Sequence, residues 1–307
     1  MMYDITILTD DRFLEDRYPD QFRQNVLEED GLLKESLESL DLKVARTNWD
    51  DPSFDWKNTR FAIFRTTWDY ADRYAEFSRW LEKVSTQTQL INPKDIIYWN
   101  LDKFYLKDMQ NQGVPIPPTI FIESGDQRSL DMICKESNWS EYILKPAVAG
   151  GARHTYRFDE SGIHDHESIY RELINEERML LQEFQVNVLD RGEVSLMVFG
   201  GEYSHSVLKK AKSGDFRVQD DFGGTLHNFT PSEEDIELAE KAISVCSPQP
   251  IYARVDIMWD NNGDPCIGEL ELIEPELWFR RNSASAMKCA EAIQTHLQAQ
   301  SQSLAQN

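Results

Sequence analysis

Charged side chains on two apolar segments near the C-terminus constrain the fold more than any other feature of the sequence. Arg254 and Asp256 lie within IYARVDIMW, and Glu269 and Glu271 lie within CIGELELIEP. Residues two apart share one face of a strand, and the NNG between the segments is a turn signal, so we expect a hairpin. Carboxylates on apolar strands are costly unless they are paired or bind a metal. The pattern favours a Mg²⁺ site; the alternative is an edge strand whose two glutamates face solvent.

A lysine followed by a small, flexible loop is the second informative feature. In YILKPAVAGGARHTYRF, Lys145 ends an apolar strand, Gly150 and Gly151 follow in the loop, and a second strand comes after them. A Walker lysine follows its glycines and opens a helix, so this order is different. Backbone N–H groups of such a loop can bind an anion, and we expect a phosphate-binding hairpin. The alternative is a surface hairpin with an incidental lysine.

Composition and charge exclude several classes of partner. The 307 residues carry a net charge of −22, which repels nucleic-acid backbones and anionic membranes, so we expect neither as a partner. The first residues, MMYDITILTDDR, predict a strand and not a signal peptide. No apolar run approaches the roughly 18 residues of a membrane-spanning helix. We therefore expect a cytoplasmic protein.

Cysteine and histidine residues give no pattern of a disulfide or a zinc site. The cysteines are scattered without a C-x-x-C pair, and we expect free thiols in a reducing compartment, at Cys134, Cys246, Cys266 and Cys289. His164 and His166 lie in a polar stretch without a nearby third ligand. A solvated loop is the expected structure there, not a metal site.

The pattern of elements changes along the chain. The first hundred residues alternate strand and helix, which predicts an α/β unit with a mainly parallel sheet. A second unit begins near Trp99, with a helix over 101–112 that ends at Gly113. The second half mixes hairpin strands with a helix at 230–245 capped by Thr230, which is typical of α+β. The polar ending QAQSQSLAQN predicts a frayed tail.

Taken in order, these motifs resemble the ATP-grasp superfamily, in particular the glutathione-synthetase-like and D-alanine–D-alanine-ligase-like carboxylate–amine ligases. The resemblance runs from about residue 99 to residue 285. It implies a pre-ATP-grasp domain with a parallel sheet, a central lid domain and a C-terminal mixed-sheet domain that holds the metal site. The corresponding boundaries are 1–98, 99–181 and 182–307.

The resemblance also implies roles for individual residues. Those similar to the family's nucleotide-binding positions are Lys103, Lys145, Gly150, Gly151, Gln182, Glu183, Phe184, Glu193 and Lys209. Those similar to its catalytic positions are Arg254, Lys145 and Arg217, and the metal ligands are Asp256, Glu269 and Glu271. The family usually ends in E-x-N, whereas this chain has ELELIE. Glu274 is therefore an alternative to Glu271 as a ligand.

The stretch FRTTWDY resembles, more loosely, a subgroup that includes ligases of the cycloserine pathway. Arg65 ends a predicted strand and could bind a substrate carboxylate, with Trp68 and Asp69 beside it. Arg280 follows the metal acids and could meet a substrate anion. The alternatives are a helix-capping turn with a buried tryptophan and a solvated basic turn.

Together these features predict an ATP- and Mg²⁺-dependent ligase that joins a small-molecule carboxylate to an amine through an acyl phosphate. The resemblance implies two Mg²⁺ ions, with Mn²⁺ as a substitute, and a homodimer is the common expectation for such an enzyme. Two other functions on the same fold stay open: a non-catalytic nucleotide-binding regulatory protein, and a kinase-like phosphotransferase that stops at a phosphorylated product.

Overall fold

The computed structural model describes residues 2–14, 20–218 and 222–306, without the side chains of 303–306. Its N-terminal unit is a parallel sheet in the order β2-β1-β3-β4, which confirms the expected parallel sheet. The strands are β1 (Tyr3–Thr9), β2 (Val44–Asn48), β3 (Thr59–Thr66) and β4 (Gln89–Ile91), and the helices on it are α1 (Gln21–Ser39) and α2 (Tyr74–Val84).

Alternating apolar side chains cover both faces of this sheet. Ile5 and Ile7 of β1 pack in one core with Leu33 of α1, whereas Leu8 packs in another core with Phe77 of α2. Since neighbouring residues of a strand point to opposite faces, a continuous apolar run fills both layers. The polar residues that follow β1 and β3 are thereby left at the carboxyl edge of the sheet.

The central unit is an antiparallel sheet in the order β5-β8-β6-β7. The single helix expected over 101–112 is wrong: two helices are present, with a break at 102–104 where Lys103 lies. His164 and His166 lie in a helix and not in the expected loop. The elements are α3 (Lys94–Leu101), α4 (Tyr105–Asn111), β5 (Thr119–Ile122), α5 (Leu130–Ser137), β6 (Glu141–Pro146), β7 (Tyr156–Asp159), α6 (Ile163–Glu176) and β8 (Met179–Glu183).

The C-terminal unit is a sheet in the order β11-β10-β9-β12-β13. All its described strand pairs are antiparallel, where a mixed sheet was expected. Its elements are α7 (Asn187–Arg191), β9 (Glu193–Phe199), β10 (Glu202–Lys210), β11 (Thr225–Asn228), α8 (Glu233–Ser244), β12 (Tyr252–Trp259), β13 (Pro265–Glu271) and α9 (Ala284–Gln306).

Two local expectations for this unit are wrong. The cap of α8 is Ser232 and not Thr230, because Ser232 and Asp235 form a reciprocal capping box that satisfies two backbone N–H groups. The polar C-terminal stretch is helical to Gln306 and not frayed, since α9 packs through Ile293 and Leu297 into the core that α1 shares.

The units meet through polar groups at the carboxyl edge of the N-terminal sheet. The Asn92 side chain donates to the backbone oxygens of Tyr252 and Leu272, each at 2.8 Å. The Tyr252 hydroxyl donates to Phe64 O of β3 at 3.2 Å. These bonds fix β12 and the end of β13 against the first unit, so the predicted metal strands lie at the junction. No helix in the described ranges has the length and apolar character needed to cross a membrane.

Candidate active site

The β12–β13 hairpin brings the three predicted metal ligands together. Asp256 lies opposite Glu269 and Arg254 opposite Glu271 across the antiparallel pair. One carboxylate oxygen from each of Asp256, Glu269 and Glu271 lies within 4.8 Å of the others. Asp256 is only 1% exposed. Three converging carboxylates on rigid strands are a donor set that a hard divalent cation accepts.

Cations from neighbouring strands neutralise these acids. Arg254 Nη2 donates to Asp256 Oδ2 at 2.8 Å and also contacts Glu271. Lys209 Nζ lies 3.0 Å from Asp256 Oδ2 and 2.5 Å from Glu193 Oε1. We call this set the cleft network: Lys103, Glu193, Lys209, Arg254, Asp256, Glu269 and Glu271.

Burial and charge act in opposite directions within the cleft network. Burial alone would raise the pKa of Asp256, but the charges of Arg254 and Lys209 hold it below its ordinary value. Burial raises the pKa of Glu271 to about 8 despite its contact with Arg254, and the neighbouring acids Glu269 and Asp256 add to the shift. Desolvation of Glu271 therefore outweighs its contact with Arg254, and a bound metal ion would favour the ionised carboxylate.

Lys103 and Lys145 face the acids from the central unit. Lys103 Nζ lies 2.9 Å from Glu269 Oε1 and donates to Ala149 O at 2.7 Å. The ammonium of Lys145 has no hydrogen bond or ion pair among the described residues, and burial lowers its pKa to about 8. Lys103 adds to that shift, whereas Glu269 opposes it. A half-buried lysine without a partner is suited to receive a phosphate group.

The loop after Lys145 adopts an unusual backbone conformation. Gly151, Ala152 and His154 all have positive φ values, of 56°, 58° and 48°. A Cβ built on Gly150 would lie 3.9 Å from the Cβ of Ala71, so the loop tip reaches the N-terminal unit. Left-handed conformations are costly outside glycine, and they cluster at ligand-binding loops.

The predicted adenine-binding segment lies at the end of β8. Gln182 is 5% exposed and donates to Thr119 Oγ1 at 2.8 Å. The backbone N–H groups of Glu183 and Phe184 donate to Pro118 O and Glu141 O, at 2.9 Å and 3.0 Å. These bonds hold the segment within the central sheet.

Glu193, predicted to hold a ribose, lies in the cleft network with its carboxylate bonded to Lys209. Gly192 explains how the two strands approach so closely, because a Cβ there would lie 2.3 Å from Lys209 O. Its φ of 82° is also a conformation that favours glycine. Burial raises the pKa of Glu193, and Lys209 opposes that shift.

Arg217 is not brought to the cleft network by any contact in the described part of the chain. Its Nη2 donates to Asp215 Oδ2 at 2.7 Å, and its guanidinium lies 3.7 Å from the ring centre of Phe222. Residues 219–221, part of the same motif, lie outside the described residues.

Arg65 and Arg280, predicted to meet substrate, have protein partners. Arg65 is 1% exposed and donates to Pro275 O at 2.9 Å. Arg280 Nη1 donates to Glu29 Oε1 at 3.1 Å and also contacts Glu276. Both guanidinium groups lie between α1 and the segment that follows β13.

Trp68 and Asp69, predicted to lie beside a substrate carboxylate, follow the carboxyl end of β3. The indole of Trp68 donates to Glu274 O at 3.0 Å. Asp69 accepts the indole N–H of Trp49 at 2.7 Å and pairs with Arg73 at 2.7 Å. The 3₁₀ turn that begins at Trp68 has no side-chain cap, which differs from the alternative reading of a capping turn.

Glu274 lies apart from the carboxylate trio. It is half-buried beside Tyr70, and burial raises its pKa to about 7. The three acids that converge are Asp256, Glu269 and Glu271, so the geometry favours Glu271 over Glu274 as a metal ligand.

Sequence reasoning missed two residues that hold the cleft network. Ser195 Oγ donates to Asp256 Oδ1 at 2.5 Å from the neighbouring strand β9. The ring centre of Trp278 lies 5.2 Å from the Arg254 guanidinium and 5.9 Å from Lys209 Nζ. Ser195 faces the buried Asp256 from the neighbouring strand, so strand pairing alone could have identified it. Trp278 lies in an irregular segment, and no spacing rule predicts its position.

Comparison with known proteins gives a consistent assignment. Residues 5–92 match the family model for the N-terminal domain of the D-cycloserine synthetase DcsG. The cycloserine biosynthesis protein DcsG of Streptomyces lavendulae is 29% identical over 283 residues, with 86% of this chain and 92% of that protein covered.

Solved structures extend the likeness to the whole chain. The crystal structure of DcsG has 26% identity and a TM-score of 0.83, over 95% of this chain and 99% of that chain. The D-alanine–D-alanine ligase from Bacillus anthracis has 14% identity and a TM-score of 0.65, over 99% and 100%, and shares the fold. The chain has the fold of the ATP-grasp ligases, and with its likeness to DcsG this makes it an ATP-dependent carboxylate–amine ligase.

Proposed function

We propose that this ligase joins the carboxylate of a small, amino-acid-derived substrate to an amine at the cleft network. The observation that carries the proposal is the convergence of Asp256, Glu269 and Glu271 within 4.8 Å, with Lys103 and Lys145 facing them from the central unit. Cations for phosphate and carboxylates for a metal ion are thereby joined in one crevice, as phosphoryl transfer requires.

The three carboxylates fit a divalent cation, and we propose that they hold two Mg²⁺ ions, which Mn²⁺ can replace. Bound there, the metal would neutralise charge on the transferring phosphoryl group. The domain boundaries that go with this site are 1–98, 99–181 and 182–307, with the adenine at the end of β8 and the phosphates under the loop at Gly150 and Gly151.

The first chemical step transfers the γ-phosphoryl group of ATP to the substrate carboxylate. A carboxylate oxygen bonds to phosphorus, and the bond from phosphorus to the bridging oxygen of ADP breaks. Lys145 and the loop amides would stabilise the charge on the transferring group. The product of this step is an acyl phosphate, which hydrolyses readily, so the loop must also exclude water.

The second step forms the amide. The amine nitrogen attacks the acyl carbon, the C–N bond forms, and the bond from carbon to the phosphate oxygen breaks as phosphate leaves with the proton that the nitrogen loses. Arg254, held by Asp256 and Glu271, would stabilise the tetrahedral oxyanion. The roles of Arg217, Arg65, Trp68, Asp69 and Arg280 in catalysis or substrate binding stay predictions.

The proposal is tested by supplying D- and L-amino acids with ATP and Mg²⁺, and by measuring ADP release with and without hydroxylamine. We expect ADP release that depends on an amino acid, and a hydroxamate formed in equal amount when hydroxylamine replaces the amine. D-amino acids come first, because the similar proteins are named as a D-cycloserine synthetase and a D-alanine–D-alanine ligase.

Two outcomes would contradict the proposal. A phosphorylated product that hydroxylamine does not trap would favour a phosphotransferase, and ATP binding without ADP release across the panel would favour a nucleotide-binding regulator. The expected homodimer is tested separately by light scattering.

A further inference from the structure

One ion pair joins two residues that the proposed function assigns to different ligands. Lys103, assigned to nucleotide, lies with its Nζ 2.9 Å from Oε1 of Glu269, which is assigned to metal. The lysine side chain is 12% exposed and the glutamate side chain 31%. A phosphate group that takes the ammonium, or a metal ion that takes the carboxylate, must weaken this bond.

The pair is fixed by the backbone around it. The N–H of Lys103 donates to Ala147 O at 2.8 Å, and its ammonium donates to Ala149 O at 2.7 Å. Lys103 is therefore bonded at once to the loop after Lys145 and to the metal strand β13. Burial alone would lower the pKa of Lys103, but the charge and hydrogen bond of Glu269 outweigh burial and raise it.

The other cations of the site are bonded differently. Arg254 and Lys209 share Asp256 between them, so Asp256 keeps a second partner when one bond opens. Lys145 has no ion pair within the described ranges. Glu269 pairs with Lys103 alone among the described cations, so its charge would be left uncompensated if the lysine turned away. An uncompensated buried charge is strongly unfavourable.

We propose that Lys103 acts as an internal counter-ion that couples nucleotide binding to metal binding, by exchanging Glu269 for a phosphate when a divalent cation takes Glu269. The inference rests on the proposed function of both residues. It predicts that ATP alone and a metal ion alone each bind more weakly, because each must open the ion pair between Lys103 and Glu269. When both bind together, a phosphate replaces Glu269 at the lysine and the metal ion replaces Lys103 at the glutamate. Couplings of this kind are typically about 5- to 150-fold.

The test measures ATP binding in EDTA by calorimetry, in the full-length protein. We expect Glu269→Gln to tighten metal-free ATP binding by about tenfold, since it releases Lys103. Glu271→Gln is the matched control, because it removes the same charge from the same strand while its partner is Arg254. That variant is expected to change ATP affinity by at most about twofold.

A double variant separates exchange from general repulsion. In the background of Lys103→Met, the gain from Glu269→Gln should disappear, because the pair is the only route of coupling between them. This double variant removes both charges together, so it leaves no unpaired buried ion if Lys103→Met alone does not fold.

Metal binding supplies the reciprocal measurement. Mn²⁺ alone, followed by electron paramagnetic resonance, should bind about tenfold more tightly to Lys103→Met than to the wild-type protein. Lys107→Met, an exposed lysine four residues along, should leave Mn²⁺ affinity unchanged.

If Glu269→Gln and Glu271→Gln tighten ATP binding equally, the effect is general repulsion between the acids and the phosphates, and the inference is overturned. No tightening by Glu269→Gln would overturn it as well. If instead Lys103→Met leaves the affinity for ATP with Mg²⁺ unchanged, the assignment of Lys103 to nucleotide is wrong, which is a failure of the proposed function itself.

Discussion

Two buried sets of charged side chains in this molecule have similar compositions, but their hydrogen-bond partners are of different kinds. The cleft network is bonded largely from side chain to side chain. The second set, which we call the junction network, lies between the N-terminal unit and the segment after β13 and also uses the backbone. Its members are Glu29, Asp30, Arg46, Arg65, Glu276 and Arg280.

Backbone partners fix the junction network. Glu29 of α1 accepts the N–H groups of Phe279 and Arg280, at 2.9 Å and 3.0 Å, and Arg65 donates to Pro275 O. Each of these side chains would lose a backbone partner if it rotated away. In the cleft network, Lys103, Arg254 and Lys209 can exchange one acid for a ligand by side-chain rotation. The comparison indicates that the cleft is built for exchange and the junction for holding the units together.

Removing the central acid of the cleft should have the largest effect. Asp256→Asn keeps the shape of the side chain but removes the charge that Arg254, Lys209 and a metal ion share. We expect at least a roughly 1,000-fold loss of substrate-dependent ADP release, with the fold retained by circular dichroism. Asp264→Asn, on the exposed turn of the same hairpin, should be close to wild type. Near-normal turnover by the Asp256 variant would break the distinction between the two networks.

At the junction network we expect the opposite result, a large effect on stability and a small effect on turnover. Arg65→Met should lower the free energy of unfolding by about 3 kcal/mol, because Asp30 and the carbonyl oxygen of Pro275 each lose a partner. Turnover of the folded fraction should change by less than about threefold. Urea unfolding and ADP release measure the two quantities, and Arg60→Met, exposed on the same strand, is the control. A large loss of turnover with unchanged stability would instead assign Arg65 to substrate binding.

Within the cleft, loss of an acid should stabilise the fold. The folded-state pKa of Glu271 is raised to about 8 from an ordinary value near 4.5. Ionised Glu271 is therefore less favourable in the folded than in the unfolded chain, and the free energy of unfolding falls as the pH rises from about 4.5 to 8. At pH 8.5, Glu271→Gln should raise the free energy of unfolding by about 1–2 kcal/mol, while it lowers activity. A destabilised Gln variant would show that the Arg254 contact outweighs burial.

The smallest expected effect concerns pH. Because the pKa of Lys145 is lowered to about 8, its ammonium loses its proton as the pH rises through that value. The dissociation constant for ATP with Mg²⁺ should rise by up to about tenfold between pH 7 and pH 9, and Lys145→Met should flatten this dependence. Arg65→Met and Arg280→Met change groups of the junction and not Lys145, so these variants should keep the wild-type pH profile.

Strand periodicity explains why the metal acids could be predicted. Glu269 and Glu271 share a face because side chains alternate along any strand, and the NNG turn places that face against Asp256. Such inferences need only local geometry, which the order of residues determines.

The partners of Arg65 and Arg280 could not be predicted in the same way. Glu29 meets Arg280 across 251 residues of sequence, and only the packing of α1 on the C-terminal unit brings them together. The cap of α8 was misassigned for a different reason: Thr230 and Ser232 are both good caps, and Asp235 selects the second by completing a capping box.

The most direct test of the whole account is anomalous diffraction from crystals grown with Mn²⁺ and a non-hydrolysable ATP analogue. We predict an anomalous peak within coordination distance of Asp256, Glu269 and Glu271, bridged to a phosphate that Lys103 and Lys145 contact. A peak elsewhere, or phosphates bound away from both lysines, would contradict the claim that cations and acids from two units converge on one nucleotide.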